Sequence, residues 1–139
     1  VGRGLNPLDI ARNLTAQTGI EKRRANRIAR TEVTTALRRA KWDEDQEAND
    51  LYGLKTLLVH ISALSPTTRH SHAVRHAHLY TNEEVRDWYS KDGNSINCKC
   101  SQQSVLVDAD GNPEYPDTIT KLKQEYKSMQ ARGYAWAEK

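Results

Sequence analysis

The chain has 139 residues with no Phe, and only 37% of them are hydrophobic, a composition that allows one domain with a modest core. Its net charge of +3 is too small to establish nucleic-acid binding. No apolar run approaches the ~20 residues that span a bilayer, and no signal peptide is recognisable. These features argue against a membrane protein.

Two helices are predicted in the N-terminal half. In the first, Asn6 is a favoured N-cap, Pro7 suits the first helical position, and Asp9 supplies an acid to the first turn. Gly19 is expected to end this helix, and a longer helix follows over residues 20–52, which Gly53 is expected to end. Its apolar residues recur at steps of three and four and predict one continuous buried stripe, formed by Ala25, Ile28, Ala29, Val33, Ala36, Leu37 and Ala40.

The same helix predicts a basic face. The first 41 residues contain ten basic and three acidic residues, whereas the rest of the chain is net acidic. The side opposite the apolar stripe carries Arg23, Arg27, Arg30, Arg38 and Lys41. Such a face is commonly a solvated helix surface, but clustered cations also contact the phosphates of double-stranded DNA without reading its bases. Acidic side chains of a partner protein would satisfy it equally well.

A small sheet is predicted after the long helix. Residues 54–63 are rich in aliphatic and β-branched side chains and predict a buried strand, with His60 as a packed core residue. A capping box at Thr81 predicts a helix. Residues 91–94 predict a turn, and residues 105–107 predict a second strand.

The C-terminal tail is predicted to be a turn and a helix. Residues 108–113 indicate a plain turn rather than a calcium loop, because the glutamate that closes such a loop is absent. Asp117 predicts the start of the last helix. The large side chains of Tyr134 and Trp136 either dock on the domain or anchor to another subunit.

The predicted fold class is α+β. A helical N-terminal half with one long helix packs on a small antiparallel sheet, accompanied by short helices and a Cys/His-rich loop region. We expect three segments, namely an N-terminal helix over 1–19, a core domain over 20–107 with its Cys/His region at 54–107, and a turn with a helical tail over 108–139.

Both cysteines and four of the five histidines lie between residues 68 and 100. Thiolate sulfur and imidazole nitrogen are preferred zinc ligands, and a helix starting near residue 65 would place two histidines one turn apart. We therefore predict a zinc site, closed by four protein ligands and hence structural, formed by His72, His76, Cys98 and Cys100. The alternative is a pair of buried thiols beside surface histidines, since the one-residue cysteine spacing is shorter than usual. Such close cysteines do not indicate a disulfide framework, so a reducing compartment is expected.

Three short motifs occur in order along the chain: Ile28-Ala29-Arg30-Thr31-Glu32, Thr68-Arg69-x-x-His72 and Asn97-Cys98-Lys99-Cys100. In this order and spacing, the chain resembles the phage Mu F-like head morphogenesis family over about residues 6–101. The resemblance implies a minor head protein that acts structurally in capsid and head morphogenesis, near the portal and packaged DNA. It implies portal or other head proteins as partners, and a location in the virion interior, with the host cytoplasm during assembly.

The chain departs from the family pattern at two places. The family often carries an Asp shortly before the Thr-Arg pair and an Asp-Gly after the His, where this chain has Ser65 and His76-Ala77. A catalytic carboxylate is therefore not supplied there, which favours a non-enzymatic role. The alternatives are a metal-dependent nuclease or hydrolase, in which the ion activates water, and a DNA-binding module that uses its basic helix.

Glu32 lies at the edge of the predicted apolar stripe. A carboxylate that faces a core needs a partner, because burying it unpaired costs several kcal/mol. Arg69 is predicted to hold it in a bidentate ion pair. The alternative partners are Arg24 and Arg39 on the same helix.

Overall fold

The protein has an α+β fold, as the sequence predicts. The computed structural model describes residues 6–18 and 21–138. In chain order, the described residues form α1 Pro7–Thr18, α2 Lys22–Tyr52, β1 Thr56–Ile61, α3 His70–Ala73, β2 Leu79–Tyr80, α4 Asn82–Tyr89, β3 Ser101–Leu106, α5 Asp117–Gln130 and a 3₁₀ helix Ala135–Glu138. Within these ranges, no helix combines the length and the apolar character needed to cross a membrane.

The first two helices form a hairpin with a small core. The side chain of Asn6 accepts a hydrogen bond from a backbone N–H of the first turn (2.9 Å), which is the role of an N-cap. α1 packs on the first half of α2 through Ala11, Ala25 and Ala29, all of them buried. Small residues at this contact allow the two helix backbones to approach closely.

The observed helix boundaries are close to the predicted ones. The long helix α2 ends at Gly53, where a φ of 62° favours a residue without a Cβ atom. Gly19 and Ile20, where the first helix was expected to end and the second to begin, lie outside the described residues.

The buried face of α2 changes sides along the helix. Its first half buries Ala25 and Ala29 against α1, whereas its second half buries Arg38 and Trp42 against the remainder of the domain. Ala29 and Arg38 are nine residues apart, or about two and a half turns, so they face opposite sides of the helix. The prediction of one continuous buried stripe is therefore wrong for the second half of α2, where Leu37 is 61% exposed.

The sheet has the strand order β2-β1-β3, and both pairs are antiparallel. β1 confirms the strand predicted within residues 54–63. β3 begins earlier than the predicted residues 105–107, in a polar run that gives no strand signal by periodicity. Two of its polar side chains bond to α2: Gln102, which is buried, accepts a hydrogen bond from Trp42 Nε1 (2.9 Å), and Ser104 donates to a buried carboxylate (2.7 Å).

That carboxylate belongs to Asp45 and connects α2 with the sheet and with α4. Its Oδ1 accepts hydrogen bonds from the hydroxyls of Thr56 and Ser104, both at 2.7 Å, and its Oδ2 accepts one from the amide of Asn82 at 3.0 Å. Asp45 is only 3% exposed. Three neutral donors satisfy this buried acid without a cation.

The predicted capping box and turns are confirmed. Thr81 Oγ1 accepts a hydrogen bond from the Glu84 N–H, and the Glu84 carboxylate accepts one from the Thr81 N–H, both at 3.1 Å. Asp92 and Gly93 reverse the chain with φ values of 54° and 65°. Asp108 Oδ1 accepts two backbone N–H groups of its own loop, the pattern of a plain Asx turn.

The C-terminal tail docks on the domain rather than extending away from it. Trp136 is 1% exposed and packs with Leu64 and Ala73, while Tyr134 contacts its ring. The indole N–H of Trp136 donates to the carbonyl of Ser65 (3.1 Å). The division of the chain into three segments stays a prediction.

Candidate metal centre

Three side chains form a compact buried cluster. His72 Nδ1 lies 3.5 Å from Cys98 Sγ and 3.7 Å from Cys100 Sγ. The three atoms lie within 4.8 Å of one another, all three residues are buried, and both thiols are free. One imidazole nitrogen and two sulfurs are groups that could hold a metal ion.

His72 is presented by the short helix α3. Arg69 precedes this helix with an extended backbone, and its guanidinium donates to the carbonyls of Gly93 (3.2 Å) and Ile96 (2.7 Å). These two bonds tie the start of α3 to the loop that leads into the cysteines. On another side, the ring of Trp88 packs edge-on against His72, with 4.7 Å between the ring centroids. The imidazole is therefore held in place by two neighbouring segments.

The Cys-x-Cys loop is held from α2. Arg38 donates to the carbonyls of Cys98 and Cys100, both at 3.4 Å. Asn97 has a φ of 51°, a conformation that Asn adopts more readily than most residues. Its N–H donates to Thr31 Oγ1 at 2.8 Å. Two residues of the long helix thus fix the backbone on both sides of the first cysteine.

The two thiols differ in their affinity for a proton. A hydrogen bond with Cys100 lowers the pKa of the Cys98 thiol despite its burial, and contacts with His72 and Tyr89 lower that pKa further. The same hydrogen bond, together with burial, raises the pKa of Cys100. Cys98 is therefore the thiolate of the pair, and the thiolate is the form of cysteine that binds metals.

His76 does not join the cluster, so the predicted four-ligand set is wrong at this residue. The helix that carries His72 ends at Ala73, and the chain turns sharply afterwards, with Ala77 at a φ of 68°. His76 Nδ1 instead accepts a hydrogen bond from the Ser62 N–H (3.0 Å). Because the predicted helix does not continue, the two histidines never share a face.

His60 is a packed core histidine, as predicted. It is 1% exposed, its Nδ1 lies 3.4 Å from Gln102 Nε2, and its ring meets the edge of Trp88. Burial, with a smaller contribution from the nearby charge of Arg75, lowers the pKa of His60 to about 3. This imidazole is therefore neutral at physiological pH.

The residues around the cluster come from four separate parts of the chain, namely α2, the start of α3, α4 and the loop before β3. The family model described as Phage Mu protein F like protein matches residues 1–103. The chain belongs to the phage Mu F-like family. A comparison of this chain with curated proteins found no match, and neither did a comparison with solved structures.

The Mu F-like match includes the whole cluster and ends within β3. α5 and the 3₁₀ helix lie beyond the matched residues, yet they pack near α3, the helix that carries His72. His70, two residues before the cluster histidine, has its Nδ1 2.8 Å from the carbonyl of Trp136. The tail of this Mu F-like chain therefore braces the helix that carries His72.

The predicted ion pair between Glu32 and Arg69 is wrong. Glu32 is exposed, and no ion pair within the described ranges joins it to Arg69 or to another cation. Arg69 uses its guanidinium on two loop carbonyls instead. Glu32 is exposed because α2 buries other faces at this level, and its motif neighbour Thr31 makes the contact to the cysteine loop.

A small cavity of about 90 Å³ adjoins the cluster. His72 and both cysteines line one side of it. Apart from Ala63, the other described residues that line it are polar or basic, and none of them carries a carboxylate. They are Ser65, Thr67, Thr68, Arg69, Asn97 and Lys99.

The predicted basic face of α2 is split by burial. Arg23, Arg27, Arg30 and Lys41 are exposed, and none of them takes part in an ion pair within the part of the chain that the structure describes. Arg38 is 4% exposed and serves the cysteine loop, so its assignment to a DNA or partner surface is wrong. It faces the interior because the domain packs on this side of the helix after Thr31.

Sequence reasoning missed Arg38 and Tyr89 as parts of the centre. Tyr89 Oη lies 3.5 Å from Cys98 Sγ. The Arg38 guanidinium lies over the ring of Tyr89, with its central carbon 4.5 Å from the ring centroid. A signal for Arg38 was present, because Arg38, Trp42 and Asp45 recur at steps of four and three. The large aromatic residue in that series marks the buried face more reliably than the alanines do.

Proposed function

We propose that this domain acts structurally in the phage head, as part of a minor head protein that assembles near the portal and the packaged DNA. Portal or other head proteins would be its partners, and its final location would be the virion interior. One observation carries the proposal: residues of all three Mu F-like motifs meet around one buried cluster. Motif residues that hold one another in place are expected of a shared structural framework.

We further propose that the cluster binds zinc. Zinc bonds of about 2.3 Å to sulfur and 2.0 Å to nitrogen at a tetrahedral angle place two such ligands about 3.5 Å apart. The distances from His72 Nδ1 to the two sulfurs, 3.5 and 3.7 Å, are close to that value. Binding would link α3 to the cysteine loop and add to the free energy of folding.

A metal-dependent hydrolase or nuclease is the second candidate, and one observation favours it. Three protein ligands leave a fourth position free, and the polar cavity adjoins the cluster. In such sites zinc lowers the pKa of water at the free position toward neutrality. Because the cavity lining includes no carboxylate that could act as a general base, the structural role is the primary proposal.

Metal content tests the zinc site. The purified domain should contain about one zinc ion per chain by elemental analysis, and His72→Gln and Cys98→Ser should each lose it. His76→Gln is the matched control, because His76 lies outside the cluster and should keep the metal. A metal-free protein whose melting temperature does not change with a chelator would contradict zinc binding. Nicking of supercoiled plasmid by the zinc-loaded domain, abolished by His72→Gln, would favour the second candidate.

DNA contact is tested through salt dependence. If the exposed arginines meet phosphates, affinity for duplex DNA should be independent of sequence and fall steeply with salt. Replacing Arg23, Arg27 and Arg30 by alanine should flatten that slope. If DNA binding is undetectable at low salt, the basic face belongs to a protein partner or to solvent.

A further inference from the structure

β3 is an edge strand, and some of its backbone N–H and C=O groups are unpaired. It has β1 on one side only. The Val107 N–H donates to the Lys55 carbonyl, and in an antiparallel pair every second residue bonds to the neighbouring strand. Gln102 and Ser104 therefore direct their N–H and C=O groups away from β1. Within the described ranges, no other backbone group bonds to them.

This edge lacks the features that usually protect a sheet. Natural edges are commonly short, or carry lysine, proline or a bulge that discourages pairing. The opposite edge, β2, has only two residues, whereas β3 has six and contains neither lysine nor proline. By the residues that the structure describes, only the far end of β3 is covered, where the Glu114 N–H donates to the Leu106 carbonyl. The uncovered stretch is the one that contains Gln102 and Ser104.

A groove of about 560 Å³ runs between this edge and α2. Its walls include the apolar side chains of Leu37 and Ile61, and Leu37 is 61% exposed. Among the described residues that line the groove, the charged side chains are all basic, with Lys41 and Lys99 exposed, and none carries a carboxylate. The groove therefore combines unpaired backbone groups, apolar walls and positive charge.

We propose that this groove binds an extended segment of a partner protein that carries apolar and acidic side chains on the same face of the strand. The segment adds a fourth strand to the sheet by bonding to the backbone of Gln102 and Ser104, as in strand addition generally. Its apolar side chains contact Leu37, and its carboxylates meet Lys41 and Lys99. This docking site goes beyond the proposed head role, and it requires neither metal nor DNA.

Other occupants fit the groove less well. A second copy pairing through its own β3 would bring the sequence Ser-Gln-Gln-Ser-Val-Leu, which supplies no carboxylate to the lysines. DNA would satisfy the lysines, but it would leave the apolar wall and the sheet edge without matching groups. An acidic strand matches all three features.

The probe is a fluorescently labelled extended peptide that presents valine and glutamate on the same face, at every second position, titrated into the domain by fluorescence anisotropy. Two control peptides separate the contribution of charge from that of backbone pairing. One replaces glutamate by lysine, and the other is N-methylated at alternate residues so that it cannot pair with a strand edge. Lys41→Glu and Leu37→Glu change the groove at exposed positions. Arg39→Glu makes the same change of charge as Lys41→Glu at an exposed position outside the groove. Circular dichroism confirms that each variant is folded.

The expected result is saturable binding of the valine–glutamate peptide, weakened about tenfold or more by Lys41→Glu. Leu37→Glu and N-methylation should weaken it as well, while Arg39→Glu should not. Amide exchange at Gln102 and Ser104 should slow when the peptide binds. No binding at about 1 mM peptide, equal binding of the lysine peptide, or a β3-paired dimer that Leu37→Glu dissociates would overturn the proposal. Duplex DNA that displaces the bound peptide would do the same.

Discussion

Replacing Arg38 by alanine should destabilise the domain by about 3–4 kcal/mol, although the residue belongs to a strongly basic helix. Its guanidinium is buried and donates to the carbonyls of Ser95, Cys98 and Cys100, each at 3.4 Å. These bonds are long, so about 1 kcal/mol each is a suitable value. The cation also lies over the ring of Tyr89, which adds about 1 kcal/mol.

Urea unfolding followed by circular dichroism measures this change as a shift of the midpoint at constant slope. Arg39→Ala is the matched control, since Arg39 is the exposed neighbour, and its replacement should cost less than about 0.5 kcal/mol. Arg38→Lys should fall between the two, because an ammonium keeps the charge but has no planar fork to reach several carbonyls.

An equal, small effect for Arg38→Ala and Arg39→Ala would refute the reasoning. It would mean that the guanidinium does not hold the cysteine loop in solution. If Arg38→Ala instead weakened DNA binding without loss of stability, Arg38 would belong to the basic surface after all.

Three further predictions concern other buried groups. Asp45→Ala should cost about 3 kcal/mol, because it removes a buried acceptor of three hydrogen bonds, from Thr56, Asn82 and Ser104. Asp43→Ala, at an exposed position, should be nearly neutral, and equal urea midpoints for the two variants would contradict the network. The pKa of His60 is about 3 in the folded protein and 6.5 in the unfolded chain, so the unfolded state binds the proton first. Stability should therefore be complete above pH 6.5 and decline by about 4–5 kcal/mol as the pH falls toward 3. His60→Gln should flatten this dependence in urea titrations, and an identical pH dependence in both proteins would contradict burial of a neutral imidazole. Trp136→Ala should lower stability by about 3–5 kcal/mol and loosen α3, seen as faster amide exchange there; an unchanged melting temperature would show that the tail is undocked.

The parts of the fold that depend on local chemistry were predictable. The capping box at Thr81, the N-cap at Asn6 and the terminator Gly53 act within a few residues of their helix ends, and all three are confirmed. The strand within residues 54–63 and the core position of His60 follow from a short aliphatic run.

The parts that depend on distant contacts were not predictable. Arg38 is buried because a loop 60 residues away places its carbonyls there, and within the helix only its spacing to Trp42 and Asp45 distinguishes it from Arg39. The polar start of β3 pairs with β1 because Trp42 and Asp45 supply partners for its side chains. Likewise, His76 leaves the cluster because the chain turns after Ala73, where the sequence contains no helix terminator such as Gly or Pro.

The change of buried face along α2 gives the domain two separate cores that share one helix. At 31 residues, α2 is about 46 Å long, and its first half is supported by an alanine contact with little apolar surface to bury. Such a contact opens at a lower free energy than the aromatic core at the other end of the helix. α1 can therefore detach while the sheet and the cysteine loop stay folded, which exposes Ala25 and Ala29 to the α1 of an adjacent chain. Where copies lie side by side, the first helix is the element that neighbouring chains can exchange.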